Sequence, residues 1–138
     1  MQWDSSSNAG FTLGLPWMST NPNYEVINAA AQVDDRQSVF NCWKSVLSAR
    51  KQHKDIFVYG NFQLIDERNE KIFAYSRKSA DGRIALVLCN FSSETVTFGD
   101  FNATVAEVLL STADRTLDDF EQGSISLSPY EAVAVILS

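Results

Sequence analysis

Three adjacent carboxylate pairs, Asp34-Asp35, Asp66-Glu67 and Asp118-Asp119, are the groups in this sequence that could do paired acid–base chemistry. That work needs two carboxyl groups in unlike environments converging on one reacting atom. Sequence neighbours on a strand point to opposite faces, and two of these pairs adjoin turn signals. All three therefore read as solvated caps and turn residues. His53 is the one histidine, so any Ser-His-Asp, Cys-His or His-rich metal arrangement would have to run through it alone. It lies between Lys51 and Lys54 with no Cys, Asp or Glu at ligand spacing. It reads as a charge at the C-terminal end of a helix or as a surface residue. The six glycines are scattered and form no G-x-G-x-x-G phosphate loop. The expectation is no metal, no cofactor and no catalytic residue in this stretch of chain.

The first two dozen residues are a different kind of candidate. Pro, Gly, Asn and Ser recur there too often for a helix or a central strand, yet the stretch carries Trp3, Phe11, Trp17 and Tyr24. A long connection of this kind is usually functional, or is anchored by its aromatic rings. Trp3, Phe11 and Trp17 would offer ring faces to a ligand or pack the loop down, and packing is the expectation.

Behind the loop the chain must supply a scaffold. Val39, Phe40, Trp43, Val46, Leu47 and Arg50 follow the i, i+3, i+4, i+7 spacing that predicts a helix over about 36–53. Asp35 is its expected N-cap, and Arg50, Lys51 and Lys54 suit the negative end of its dipole. Residues 25–33, with Ala29-Ala30-Ala31, read as a short turn or weak helix. From residue 55 the chain reads as β-structure, with strands expected at 56–59, 62–65, 72–76, 84–89, 95–98, 106–110, 125–127 and 132–137. Turn signals separate them at Arg68-Asn69, Asp81-Gly82, Gly99-Asp100, Gln122-Gly123 and Ser128-Pro129. Strands 72–76 and 84–89, joined through Asp81-Gly82, make the strongest hairpin signal. The unbroken run Ala85-Leu86-Val87-Leu88-Cys89 predicts a central strand buried on both faces.

Several of these segments form an ordered set. Met1-Gln2-Trp3-Asp4, Asn8-Ala9-Gly10-Phe11, Pro16-Trp17 and Asn21-Pro22-Asn23-Tyr24 open the chain. Ile27-Asn28, Ser38-Val39-Phe40-Asn41-Cys42-Trp43-Lys44, Arg50-Lys51-Gln52-His53-Lys54-Asp55-Ile56 and Val58-Tyr59-Gly60 follow. Asn90-Phe91-Ser92-Ser93 and Leu127-Ser128-Pro129-Tyr130-Glu131-Ala132 complete it. In this order they resemble the α-glucosidase branch of the α-amylase-type glycoside hydrolases, the maltases, isomaltases and oligo-1,6-glucosidases, and most of all the fungal maltases. The match runs over essentially the whole chain.

The resemblance implies a fragment of a (β/α)8 barrel, its last loop and last helix, followed by a small all-β antiparallel sandwich or Greek-key domain. The expected division is 1–54 for the end of the catalytic barrel and 55–138 for the β domain. The family hydrolyses terminal α-glucosidic bonds of maltose-like or isomaltose-like sugars by double displacement between two carboxyl groups. Its catalytic carboxylates and a glucose-binding Arg fall upstream of the positions matching Met1. This chain alone is therefore expected to be inactive, with the catalytic barrel as its partner and an α-glucoside as substrate only in the complete enzyme. The opening loop would lie on the rim of the catalytic face, making Trp3, Asp4 and Phe11 the candidate substrate contacts. Asp4 is the carboxylate that could approach a sugar, although fixing the loop through backbone N–H groups is its expected role. The apolar face of the helix, with Phe40, Trp43 and Leu47, should pack on barrel elements outside this sequence.

Two other readings stand beside this one. Heavy subunits of certain amino-acid transporters resemble these glucosidases without being enzymes. A stand-alone sugar-binding β module is the third reading, but it would leave 1–54 nothing to pack on.

Composition sets the remaining bounds. The chain of 138 residues is 45% hydrophobic, enough to fold, and its net charge of -6 argues against nucleic-acid and anionic-membrane partners. Cys42 and Cys89 are too few for a disulfide framework, so both are expected as buried reduced thiols in a cytoplasmic protein. Asn90-Phe91-Ser92 and Asn102-Ala103-Thr104 match the glycosylation sequon, which alone is a weak signal.

Overall fold

The apolar run that begins at Ile84 becomes the middle of the molecule's largest sheet. In the computed structural model, which describes every residue except Asp100, Asn102, Glu121 and Gln122, strand β3 (Ile84–Asn90) is the third of five. The others are β1 (Asn61–Ile65), β2 (Ile72–Lys78), β5 (Val105–Ser111) and β7 (Ala132–Leu137), in the order β1-β2-β3-β7-β5. All pairings are antiparallel. A second, two-stranded sheet pairs β4 (Val96–Gly99) with β6 (Ser124–Leu127). Seven of the eight expected strands are present.

Side-chain alternation gives the large sheet an inner and an outer face. Ile72, Ala74, Leu86, Leu88, Val133 and Val135 point inward and meet Phe98, Ile125 and Leu127 of the small sheet. Each fully buried Leu, Ile or Val in that layer stabilises the fold by about 1.5–3 kcal/mol. The hairpin turn falls at Asp81-Gly82 as the sequence indicates, with Gly82 at φ +97°, a conformation that costs glycine little.

The expected strand at 56–59 is instead helical. Residues Lys54–Phe57 form α3, a single helical turn that buries Ile56 against Ala85 and Ile136 on the outer face of the large sheet. β-branched and aromatic content favoured a strand, but the backbone here is held by arginines from elsewhere. Arg77 donates from Nε to the Ile56 carbonyl (3.0 Å) and from a terminal nitrogen to the Gly60 carbonyl (2.6 Å). Arg50 donates to the Phe57 carbonyl (2.8 Å), and Arg83 pairs with Asp55. The chain then leaves through Gly60, where a Cβ would press on the Ile56 carbonyl oxygen and lie 2.9 Å from that of Lys78.

Arg115 and Glu131 lock the far end of the sandwich. The Glu131 side chain is 1% exposed and takes two parallel bonds from Arg115, 2.7 and 2.8 Å long, plus the Ser128 N–H at 2.7 Å. Arg115 also donates to the Ser126 carbonyl (2.6 Å). Burial pushes the Glu131 carboxyl up, but the Arg115 and Ser128 bonds outweigh it and hold the carboxyl below its ordinary value.

The residues Met1–Leu47 form a separate compact unit from Ser48–Ser138. Within it, Pro22–Glu25 is a 3-10 turn and Ala29–Val33 a short helix, α1, so the alanine run expresses its helix propensity. Asn28 caps α1, accepting from the Ala31 N–H at 2.9 Å. Helix α2 runs Val39–Gln52. Its N-cap is Ser38 rather than Asp35: the Ser38 hydroxyl accepts from the Asn41 N–H (3.2 Å), while the Asp35 carboxylate takes the Gln37 N–H (2.9 Å) in a turn just before. On the expected apolar face Phe40, Trp43 and Leu47 are 39%, 61% and 57% exposed.

Two stability outcomes follow from these contacts. Glu131→Gln leaves the half-buried Arg115 guanidinium without its counter-charge and should lower stability by about 2–3 kcal/mol in denaturant unfolding. Because the Glu131 pKa is depressed on folding, the pair's contribution is complete above the unfolded value near 4.3 and fades as pH falls below it. The wild-type and Glu131→Gln unfolding curves should therefore converge in acid; a gap independent of pH would show that Glu131 does not act through its charge. Gly60→Ala should cost about 1–3 kcal/mol through forced contact with two carbonyls. An unchanged melting temperature would disprove that.

Candidate functional site

The opening loop is organised by its own backbone. Asn8 (φ 57°), Ala9 (φ 55°) and Gly10 (φ 71°) are all left-handed, a run that non-glycine residues rarely adopt. It turns the chain so that the Ala9 carbonyl accepts the Trp3 N–H (3.0 Å), and the Ala9 side chain is fully buried. Asn8 holds the outgoing chain through its amide, donating to the carbonyls of Thr12 (3.1 Å) and Gly14 (3.2 Å). The Gln2 and Trp3 carbonyls accept the Ala29 and Ala30 N–H groups, both at 2.9 Å, which ties Met1-Gln2-Trp3 to the start of α1. Gln2 reaches further, from its amide to Asn23 Oδ1 (3.1 Å) and to the Ile27 carbonyl.

Asp4 is at the centre of this turn. Its Oδ1 accepts the Ser6 N–H (2.8 Å) and the Ser6 hydroxyl, and these bonds hold the carboxyl below its ordinary value. A Cβ on Gly10 would lie 2.9 Å from Asp4 Oδ2, so the carboxylate rests directly on the Gly10 backbone. The carboxylate therefore braces the loop and stays ionised. Trp3 and Phe11, 52% and 50% exposed, flank the same turn, and Trp17 stands almost free at 94%. Within this chain the three rings stay uncovered, as rings meant to pack on a barrel outside this sequence would.

The other candidates have structural roles. Asp34 is the C-cap of α1, Asp66 accepts from the Asn69 amide (2.8 Å), and Asp119 closes a capping box with Thr116. His53 stands between α2 and α3, edge-on to Phe57 with ring centres 6.5 Å apart. Among the described residues no group of three His, Cys, Asp or Glu could hold a metal ion. No helix of the described residues is long and apolar enough to cross a membrane. Cys42 and Cys89 are both free, but Cys42 is exposed and Cys89 only half-buried, against the expectation of two buried thiols. Cys42 lies next to Trp43 on an uncovered helix, which accounts for the difference.

The first sequon is closed by the fold. Asn90 is buried, and its Nδ2 donates to the carbonyls of Glu94 (2.7 Å) and Ser128 (2.9 Å) while Oδ1 accepts from Ser92. The amide that a glycan would need is fully engaged. The second sequon, beginning at Asn102, lies outside the described residues, as do parts of the turns expected at Gly99-Asp100 and Gln122-Gly123.

Sequence reasoning passed over Gln2, Asn28 and the left-handed Asn8 and Ala9, which set the shape of the loop. Asn28 directly before an alanine run carried a readable N-cap signal; a left-handed alanine has none. In an isolated test of this turn, Gly10→Ala should both strain φ and displace Asp4. The Trp3 amide, held by Ala9, should then exchange with solvent at least about tenfold faster, the cost of roughly 1.4 kcal/mol or more in local opening. Unchanged exchange would show that Asp4 and Gly10 do not brace each other.

A family model described as "Alpha amylase, catalytic domain" matches residues 1–60. The oligo-1,6-glucosidase of Parageobacillus thermoglucosidasius is 42% identical over 136 residues, covering 96% of this chain and 24% of that protein. The α-glucosidase of Schizosaccharomyces pombe is 39% identical, with 99% of this chain and 24% of that protein covered. Among solved structures, the trehalulose synthase of Pseudomonas mesoacidophila MX-45 superposes with a TM-score of 0.89 at 34% identity, over 99% of this chain and 24% of its own. The chain thus spans about a quarter of the length of the curated relatives it matches. Continuous likeness in sequence and in fold, from the Asn8-Ala9-Gly10 turn to the last strand of the sandwich, places the chain in the α-glucosidase branch of the α-amylase-type glycoside hydrolases, matching their C-terminal part.

Proposed function

We propose that this chain works as the C-terminal portion of an α-glucosidase that hydrolyses terminal α-glucosidic bonds of maltose-like or isomaltose-like oligosaccharides. In this reading residues 1–54 finish a catalytic (β/α)8 barrel and residues 55–138 are the β domain that supports it. The carboxylates that cut the bond belong to the barrel upstream, on the same polypeptide, as in the full-length relatives. The observation that carries the reading is the 42% identity to an oligo-1,6-glucosidase, which covers 96% of this chain and so both compact units.

The geometry supports a specific part for the opening loop. Asp4 and Gly10 fix a turn that leaves the rings of Trp3 and Phe11 half in solvent. On the rim of a sugar site those rings would shape its entrance, with Asp4 holding them in place. The two unpaired thiols favour a cytoplasmic enzyme.

Complementation tests the reading. The catalytic portion of the Parageobacillus oligo-1,6-glucosidase, made without its final quarter, is co-expressed with this chain and assayed on p-nitrophenyl α-glucoside. Activity is expected only when both pieces are present. Hydrolysis by the 138-residue chain alone, or no gain on adding it, would overturn the proposal.

A further inference from the structure

The five-stranded sheet ends in two edge strands, β1 and β5, and they are built differently. β5 shifts register twice, between Val105 and Glu107 and between Val108 and Leu110, and carries the exposed Glu107. Bulges and charges of this kind keep an edge from pairing with another chain. In the small sheet β4 and β6 have four residues each, and Arg115 takes the Ser126 carbonyl. β1 reads Asn61-Phe62-Gln63-Leu64-Ile65, with no charge, no proline and no break in its register with β2. Asn61, Phe62 and Gln63 are exposed.

The ladder on the far side of β2 shows which backbone groups β1 leaves open. The Ser79 N–H donates to the Arg83 carbonyl (2.9 Å), and the Phe91 N–H to the Lys71 carbonyl (2.8 Å). These bonds bound a β2–β3 register without shifts, so Phe73, Tyr75 and Arg77 turn their N–H and C=O groups toward β3. Ala74, Ser76 and Lys78 turn theirs toward β1, where they meet Ile65, Gln63 and Asn61. The N–H and C=O groups of Phe62 and Leu64 therefore point away from the sheet. Such a row of unpaired backbone groups is a template for another strand.

The pattern is its own complement. A second β1 laid antiparallel, with Gln63 opposite Gln63, sets Phe62 against Leu64 of the second copy and Leu64 against Phe62. Each of these pairs exchanges two N–H···O bonds, and neither residue keeps an open backbone donor or acceptor. Phe62 and Leu64 meet as an apolar cross-strand pair, and the Gln63 carboxamide, donor and acceptor at once, faces its own kind. No like charges are brought opposite each other within the strand.

We propose that β1 joins two copies of this chain edge to edge, in a two-fold antiparallel pairing centred on Gln63. The two large sheets then run on as one. The inference rests on the strand and its register, not on the glucosidase reading.

Sedimentation equilibrium should find the 15.4 kDa chain in a concentration-dependent equilibrium with its dimer. In a Cys42→Ser, Cys89→Ala background, Gln63→Cys should be cross-linked between copies by oxidised glutathione. Opposed residues of a non-hydrogen-bonded pair lie about 4.5 Å apart between Cα atoms, within disulfide reach. Asn61→Cys, whose position faces Ile65 of the second copy, should cross-link at least about tenfold more slowly. Leu64→Pro removes an outward N–H while leaving the β2 ladder intact, and should raise the dimer dissociation constant at least about tenfold. Gln63→Lys, which sets like charges opposite each other, is the second variant if Leu64→Pro does not fold, and should raise it about fivefold or more. Thr97→Lys, exposed on β4, should leave the equilibrium unchanged. A dimer that cross-links through Gln63→Cys and is weakened by either variant establishes the pairing. It is overturned by a chain that stays monomeric up to about 1 mM, by association that both variants leave intact, or by Asn61→Cys cross-linking as fast as Gln63→Cys.

Discussion

A β-sheet that is apolar on both faces cannot remain in water on either side. That constraint organises Ser48–Ser138. The inner face of the large sheet is covered by β4 and β6, which bring Phe98, Ile125 and Leu127 over Leu86 and Leu88. The outer face is covered at one end only, by the single turn of α3 on Ala85 and Ile136. A turn of four residues has no helical stability of its own. Arg77, Arg83 and Arg50 are what hold it down, each bonding a group of the 55–60 segment. Three cations on one short segment would be costly if unpaired. Here each meets a carbonyl or a carboxylate, so the cost is offset and the turn is pinned.

The same constraint explains which parts of the fold were legible in the sequence. Residues 84–89 lack a polar position, and such an apolar run between turn residues marks a central strand, as found. Its expected burial on both faces is met on the inner face, whereas Val87 and Cys89 on the outer face are half-buried. The hairpin at Asp81-Gly82 was equally readable because its chemistry is local. Ile56-Phe57-Val58-Tyr59 misled for the opposite reason. Its composition is that of a strand, but its conformation is set by Arg77 and Arg83, more than fifteen residues away, and by the tight exit at Gly60. The N-cap of α2 went to Ser38 because Asp35 was engaged by the Gln37 N–H, a competition that two capping residues close in sequence leave open.

For the opening loop the sequence announced function without geometry. Its aromatic and turn residues marked 1–24 as unusual, and the ordered motifs carried the family. The left-handed run at Asn8 and Ala9 was hidden, since alanine gives no sign of positive φ. Its residues persist in that conformation because the buried Ala9 side chain and the Trp3–Ala9 bond over-determine the turn. Asp4 illustrates the limit of residue type as evidence. A carboxylate beside aromatic rings suggests sugar chemistry, but one whose Oδ1 takes two bonds from Ser6 and whose second oxygen rests on Gly10 is a brace.

Where titratable carboxyls of the described residues are tuned, they are tuned in one direction. Retention requires two carboxyl groups about 5 Å apart and in unlike environments, one of them kept protonated. Among the described residues, the carboxyls whose pKa moves, Asp4, Asp81, Glu94, Asp119 and Glu131, all move down, toward the ionised form. Each is held there by a hydrogen bond to a hydroxyl, an N–H or a cation, with burial the opposing influence. A site that needs a protonated acid near neutral pH is the reverse environment. These carboxylates serve as ionised fasteners for turns and strand ends. Under the proposed reading the protonated acid comes from the barrel, and these ionised fasteners keep the loop and strand ends in shape.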